Sequence, residues 1–214
     1  MTTSAYSELY LDDAMHNLGD MVEYAVCDLG FVPDEFFGWF LSSGIANMFE
    51  KGNSKYISGM SGYELAEVVL NTICVPHEKR EPSHWGSKGR EYWAGWILAY
   101  YQWRTGRRFE DMVKNGLSLS TTLSMYILHE ADESKFVETA DEIIERNRAK
   151  RRTQLSKIRI SRGFTQRQLC EASGVTLRMI QLYEQKRNDI NKAQVHVVIS
   201  LANALGCSVE DLIL

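Results

Sequence analysis

The stretch Thr165–Glu184, TQRQLCEASGVTLRMIQLYE, constrains local structure more tightly than any other in the chain. Thr165 stands three residues before Gln168, the spacing at which one side chain caps a helix and the second reaches back to the cap. Leu169 and Ala172 lie one helical turn apart and face one side. Gly174 then stops the helix, because glycine takes the left-handed conformation without a Cβ penalty. Val175 reads as a buried turn residue. Thr176 caps a second helix whose Ile180 and Tyr183 turn toward the same side. Two short helices joined this tightly form a helix-turn-helix, which needs further helices to complete a core.

The flanking sequence supplies them. Gln154–Arg162 predicts a first helix with Leu155, Ile158 and Arg159 toward the core, ended by Gly163. A fourth begins after Asn191, with Gln194 three residues on, and runs to Leu205 before Gly206. Ser208 opens a last short helix with Val209, Leu212 and Ile213 facing in. With GFTQRQL, SGVT, IQLYE and LANALGCSVEDLI in this order, the segment from about Thr153 to Leu214 resembles the Cro/C1-type (XRE) helix-turn-helix of phage repressors and bacterial regulators.

The resemblance implies a five-helix, lambda-repressor-like domain that binds double-stranded DNA with its third helix in the major groove. On the family's pattern the exposed positions are Thr176, Leu177, Arg178, Gln181 and Leu182. Arg178 carries the fork that matches guanine O6 and N7, and Gln181 can reach an adenine or a phosphate. Thr176 can cap the helix and bind phosphate together. Gln166 resembles the family's phosphate-clamping glutamine at a helix start. Lys186, Arg187 and Lys192 stand where backbone contacts are expected. Leu177 and Leu182 depart from the pattern: leucine touches a thymine methyl or meets protein, and offers no hydrogen-bond code. Arg159 and Glu184 match an ion pair that in the family joins the first helix to the end of the third.

Charge separates this segment from the rest. Residues 150–214 hold 11 Lys and Arg against 5 Asp and Glu, whereas residues 1–149 hold 13 against 23. A basic part suits phosphates and an acidic part is kept off them, which places the domain boundary near 148–152. The expected organisation is a helical domain over 1–149 and the DNA-binding domain over 150–214.

Residues 1–149 also read as helical throughout, so the chain is expected to be all-α. Leu11, Met15, Leu18, Val22, Ala25 and Leu29 give a stripe over Glu8–Leu29. Pro33, followed by Asp34 and Glu35, opens a second helix rich in Phe and Trp, and Ile45–Phe49 suggests a third. Ser61 and Glu64 form another capping box. Residues Val75–Arg90 form a long loop, either a partner-binding element or a tolerated insertion. Glu91–Thr105 predicts a central helix with Trp93, Trp96, Ile97 and Tyr100 on one face. Short helices follow around Phe109–Val113 and over Leu119–Leu128. Ser134–Ala149 predicts a connector helix running into the basic Arg146, Arg148, Lys150, Arg151 and Arg152.

Catalytic chemistry is thin. The sequence holds no glycine-rich phosphate loop, nucleophile elbow or HExxH. Cys74, His77 and His84 share one loop but match no standard zinc spacing, so no metal and no cofactor is expected. The four cysteines lack CxxC spacing and read as small buried hydrophobes in a reducing compartment. No apolar run is long enough to span a bilayer, and MTTSAYSELYLDDAM lacks a secretory n-region. The expectation is a non-enzymatic, cytoplasmic bacterial transcriptional regulator, a repressor and homodimer on a two-fold operator. The alternative is an antitoxin-like protein, whose acidic N-terminal domain neutralises a toxin partner while the C-terminal domain autoregulates the operon.

Overall fold

The computed structural model describes residues 4–83 and 88–213, and among these every regular element is helical. The chain divides into two compact units, the first ending at Glu145 and the second beginning at Arg146.

In the first unit α1 spans Leu11–Glu23, after a 3₁₀ turn at Glu8–Tyr10. Its inward stripe of Ala14, Met15, Leu18, Met21 and Val22 is buried. The expected helix over Glu8–Leu29 is not regular. From Tyr24 to Asp28 it widens into a π-helical turn, in which Leu29 N–H donates to the Tyr24 carbonyl at 3.0 Å. Four short helices follow: α2 (Pro33–Ser42), α3 (Ile45–Glu50), α4 (Ser54–Ile57) and α5 (Gly62–Thr72). The capping box at the start of α5 is formed, with Glu64 accepting from Ser61 N–H at 2.8 Å. After the loop come α6 (Arg90–Thr105), α7 (Phe109–Lys114), α8 (Leu119–Ser124) and α9 (Glu133–Arg151). Phe40, Phe49 and Phe109 meet at centroid distances of 5.8 to 6.2 Å, which pins α2, α3 and α7 together.

The central contact is α1 against α6, closest where Gly95 of α6 meets the α1 backbone and where the buried Tyr92 ring covers Gly19 of α1. Trp93, Trp96 and Tyr100 lie half-buried on the flank of α6, while Ala94, Gly95, Leu98 and Ala99 turn into the core. A Cβ placed on Gly95 would run into the Leu18 carbonyl group, and Gly19 Cα would lie 3.0 Å from it. A Cβ on Gly62 of α5 would lie 2.5 Å from Asn17 O and 2.6 Å from Met21 N. Helix α1 is thus approached closely at glycine from two sides, which bulky residues on those faces would prevent.

The loop from Val75 to Gly89 is tied down by polar contacts along its described part. His77 Nδ1 faces the Val75 carbonyl at 2.9 Å and its Nε2 faces Glu67 Oε2 at 3.1 Å. Both partners are acceptors, so only the imidazolium satisfies both. Tyr24 OH also donates to Glu67, at 2.9 Å, and Arg80 Nη1 donates to the Asp28 carbonyl at 2.7 Å. Ser83 N–H and Oγ–H both donate to Asp28 Oδ1. The hydrogen bonds to Val75 and then Glu67 raise the His77 pKa against the opposing effect of burial. A raised folded-state pKa gives stability that is present below the unfolded value, about 6.5, and is lost as pH rises through the folded one. Thermal melts of the first unit should therefore decline above about pH 6.5 in wild type and lack that limb in His77→Gln. Parallel profiles would contradict this.

A zinc site in this loop finds no support in the geometry. His77 spends both ring nitrogens on protein acceptors, His84 lies outside the described residues, and no described group of three or more His, Cys, Asp or Glu is placed to hold a metal. Cys27 and Cys74 are exposed free thiols, contrary to the expected burial, whereas Cys170 and Cys207 are half-buried.

The second unit comprises α10 (Gln154–Ser161), α11 (Gln166–Ser173), α12 (Leu177–Glu184) and α13 (Val195–Leu205). Its core joins Leu155, Leu169, Ile180, Tyr183, Val198, Leu201, Leu205 and Leu212. Two boundaries differ from the sequence expectation. Residues Ile190–Lys192 form a separate 3₁₀ turn capped by Asp189, and α13 starts only at Val195, after a Gln194 that caps nothing with its side chain. The expected last helix at Ser208 is a single turn: Ser208 and Asp211 cap each other, and Leu212 and Ile213 both donate to the Val209 carbonyl.

Candidate nucleic-acid interface

Three threonine caps set the angles of the helices that present the interface. Thr153, Thr165 and Thr176 each accept from a backbone N–H in the first turn of the helix they precede. At Thr165 the backbone N–H in turn donates to Gln168 Oε1 at 2.8 Å, which completes a capping box. Gly174, at φ 70°, turns the chain between α11 and α12, and Val175 seals the turn with 8% exposure. The α11–α12 pair is therefore fixed by local hydrogen bonds and one shared apolar face.

The outer face of α12 carries the residues expected to read DNA. Thr176, Leu177 and Arg178 are exposed at its N-terminal end, and Gln181 and Leu182 are half-buried one turn on. Arg178 makes no ion pair among the described residues, so its guanidinium is available to a ligand. Leu177 is 37% exposed, a large apolar side chain left in water at the leading edge of the helix. Ile180 and Tyr183 lie beneath, in the core. Lys186, Arg187 and Lys192 are exposed in the segment after α12. Lys186 holds a left-handed φ of 57°, and the N–H groups of Arg187 and Asn188 both return to the Leu182 carbonyl.

Glu184 is the hub behind this face. Arg159 Nε donates to Glu184 Oε1 at 2.6 Å and its Nη2 to Oε2 at 2.9 Å, a two-pronged pair with side chains only 11% and 6% exposed. Arg159 Nη1 also donates to the Phe164 carbonyl at 2.7 Å, which ties in the turn before α11. Gln166 Nε2 donates to Glu184 Oε2 at 2.8 Å. Burial opposes ionisation of Glu184, but the hydrogen bonds from Arg159 and Gln166 outweigh it and hold the carboxyl below its ordinary range. One carboxylate thus sets α10, α11 and α12 relative to each other.

Two of these links are not visible in the sequence. The Phe164 partner is a backbone carbonyl, which no residue type announces. Gln166 is expected to clamp a phosphate, yet one of its amide hydrogens goes to Glu184, leaving the other for a ligand. The same glutamine can therefore couple the ion pair to whatever lies outside the start of α11.

Residues 155–212 match a family model described as helix-turn-helix. Comparison with curated proteins and with solved structures gave no match. The family match lies wholly within the second unit and supports a DNA-binding regulatory role for it. No helix among the described residues is long and apolar enough to cross a membrane.

Proposed function

We propose that the protein is a transcriptional regulator of the Cro/C1 type, a repressor, that reads duplex DNA with α12 in the major groove. The observation that carries the reading is the asymmetry of α12. Its inner face is locked into the core and the Arg159–Glu184–Gln166 cluster, while the capping Thr176 and an Arg178 without an ion pair among the described residues stand exposed at its leading end. Arg178 reads a guanine, Gln181 an adjacent base or phosphate, and Leu177 and Leu182 meet thymine methyls. Gln166, Thr176, Lys186, Arg187 and Lys192 hold the backbone on either side. One such domain covers few base pairs, so a homodimer on half-sites about one helical turn apart supplies the remaining specificity.

The test is to select duplex fragments with the purified protein and sequence them, for wild type and for Arg178→Ala. Loss of a two-pronged guanine contact costs about 1–3 kcal/mol, so binding to the selected site should weaken roughly 5- to 150-fold and one position of the consensus should lose its preference. Equal weakening on every fragment would make Arg178 a backbone contact and remove it as a reader.

A further inference from the structure

The second unit also holds a groove of about 480 Å³, of whose cations the proposed base reading uses Lys186 alone. Lys150, at the basic end of α9, Arg152, Lys157 on α10 and Lys186 after α12 all line it. All four are exposed, and none makes an ion pair among the described residues. The lining has a single carboxylate, Asp189, whose Oδ1 is spent on the Asn191 backbone N–H at 3.0 Å and side-chain amide at 2.9 Å. Four like charges around one groove repel each other and gain nothing from the fold. Some cations elsewhere are paired, as with Arg167–Glu171 at 3.3 Å and Arg107–Asp141 at 3.1 Å.

We infer that this groove is a phosphate track, which carries DNA backbone beyond the base pairs that α12 reads. The inference rests on the regulatory reading above and extends it: the footprint grows through Lys150, Arg152 and Lys157, none of them on the helix-turn-helix itself. Three further features fit a phosphate chain. The N-terminal turn of α10 opens onto the groove at Gln154, with its dipole favouring an anion. The Asn188 side chain adds a neutral donor in the lining. Lys186 belongs both to the groove and to the segment that follows α12, which links the track to the proposed backbone contacts. The occupant is recognised through its phosphates alone, so the groove contributes affinity and salt dependence but no sequence preference.

The experiment measures the binding constant of full-length protein for a selected duplex, and for a scrambled one, across a salt series. The triple variant Lys150→Gln, Arg152→Gln, Lys157→Gln is compared with wild type and with Arg162→Gln, a charge loss at a guanidinium turned to the Gly206 carbonyl instead. Removing one cation from a phosphate lowers the slope of log K against log salt by about 0.9, so the triple variant should lose about 2.7 while Arg162→Gln stays near wild type. Affinity should fall by the same factor on both duplexes. A triple variant that melts like wild type and keeps the wild-type slope overturns the track and leaves the regulatory reading standing. So does a loss confined to the selected duplex. Wild type that retains no duplex at low salt overturns the regulatory reading, and the track with it.

Discussion

Replacing Glu184 with alanine is expected to unfold the second unit at temperatures where wild type remains intact. The change strands the Arg159 guanidinium, 11% exposed, with only the Phe164 carbonyl to accept from it, and frees the Gln166 amide as well. Breaking a buried pair from one side costs about 3–5 kcal/mol, because an uncompensated charge stays behind. A unit of this size holds about 3–10 kcal/mol in total at ordinary stabilities per residue, so the loss consumes most of it. The melting transition of the second unit should fall by at least about 12 °C, with the first unit's transition unmoved.

The same carboxylate sets an acid limit. Its folded-state pKa is depressed, so its contribution is complete above the unfolded value of about 4.3 and disappears as pH falls through the folded one. Wild type should lose melting temperature in that acid range, and Glu184→Gln should show a flatter profile from a lower starting point. An alanine variant that melts within a degree or two of wild type would show that α12 is oriented by its apolar face alone.

In the first unit the largest effect is expected at Gly95. The obstacle to a side chain there is the Leu18 carbonyl group, which belongs to the backbone of α1 and cannot rotate aside. Alanine in a helix gains about 1 kcal/mol over glycine, so local propensity alone predicts stabilisation. Overpacking costs about 1–3 kcal/mol and more where nothing yields, and valine adds two methyls to the collision. Gly95→Ala should therefore be destabilising despite its propensity gain, and Gly95→Val should lower the stability of the first unit by about 3 kcal/mol or more. Gly38 provides the contrast. It is exposed within α2, with nothing near the position of a Cβ, so Gly38→Ala should stabilise by about 0.5–1 kcal/mol. Urea unfolding of the three variants reads both signs. Stabilisation by Gly95→Ala would mean that α1 and α6 are free to part.

Legibility follows how local the determining interaction is. Thr165 with Gln168, Ser61 with Glu64, and the stop at Gly174 each depend on residues a few positions apart, and the structure forms all of them. The face that α6 buries depends on what lies opposite. Trp93, Trp96 and Tyr100 form the more hydrophobic stripe, yet Gly95 and Ala99 win the core because α1 can come closer there. The start of α13 departs from the sequence pattern because Asn191 and Gln194 have capping spacing, while Asp189 takes the capping role and closes a separate turn first. At the interface, residue types can suggest Arg178 and Glu184, but not that the Gln166 amide donates to Glu184. Nor does periodicity register the gathering of Lys150, Arg152, Lys157 and Lys186, which come from three separate places in the chain.

The widened turn at Tyr24–Asp28 amounts to one residue more than a regular helix would use for the same advance. Each residue swings its successors by about 100° around the axis, so this single extra step decides which way Asp28 looks. Shortening the segment by one would leave a better helix and carry the Asp28 carboxylate round to another side, away from Ser83. The irregularity works as an indexing step: the chain gives up one well-formed rung so that the anchor for a distant loop comes to rest at the right bearing.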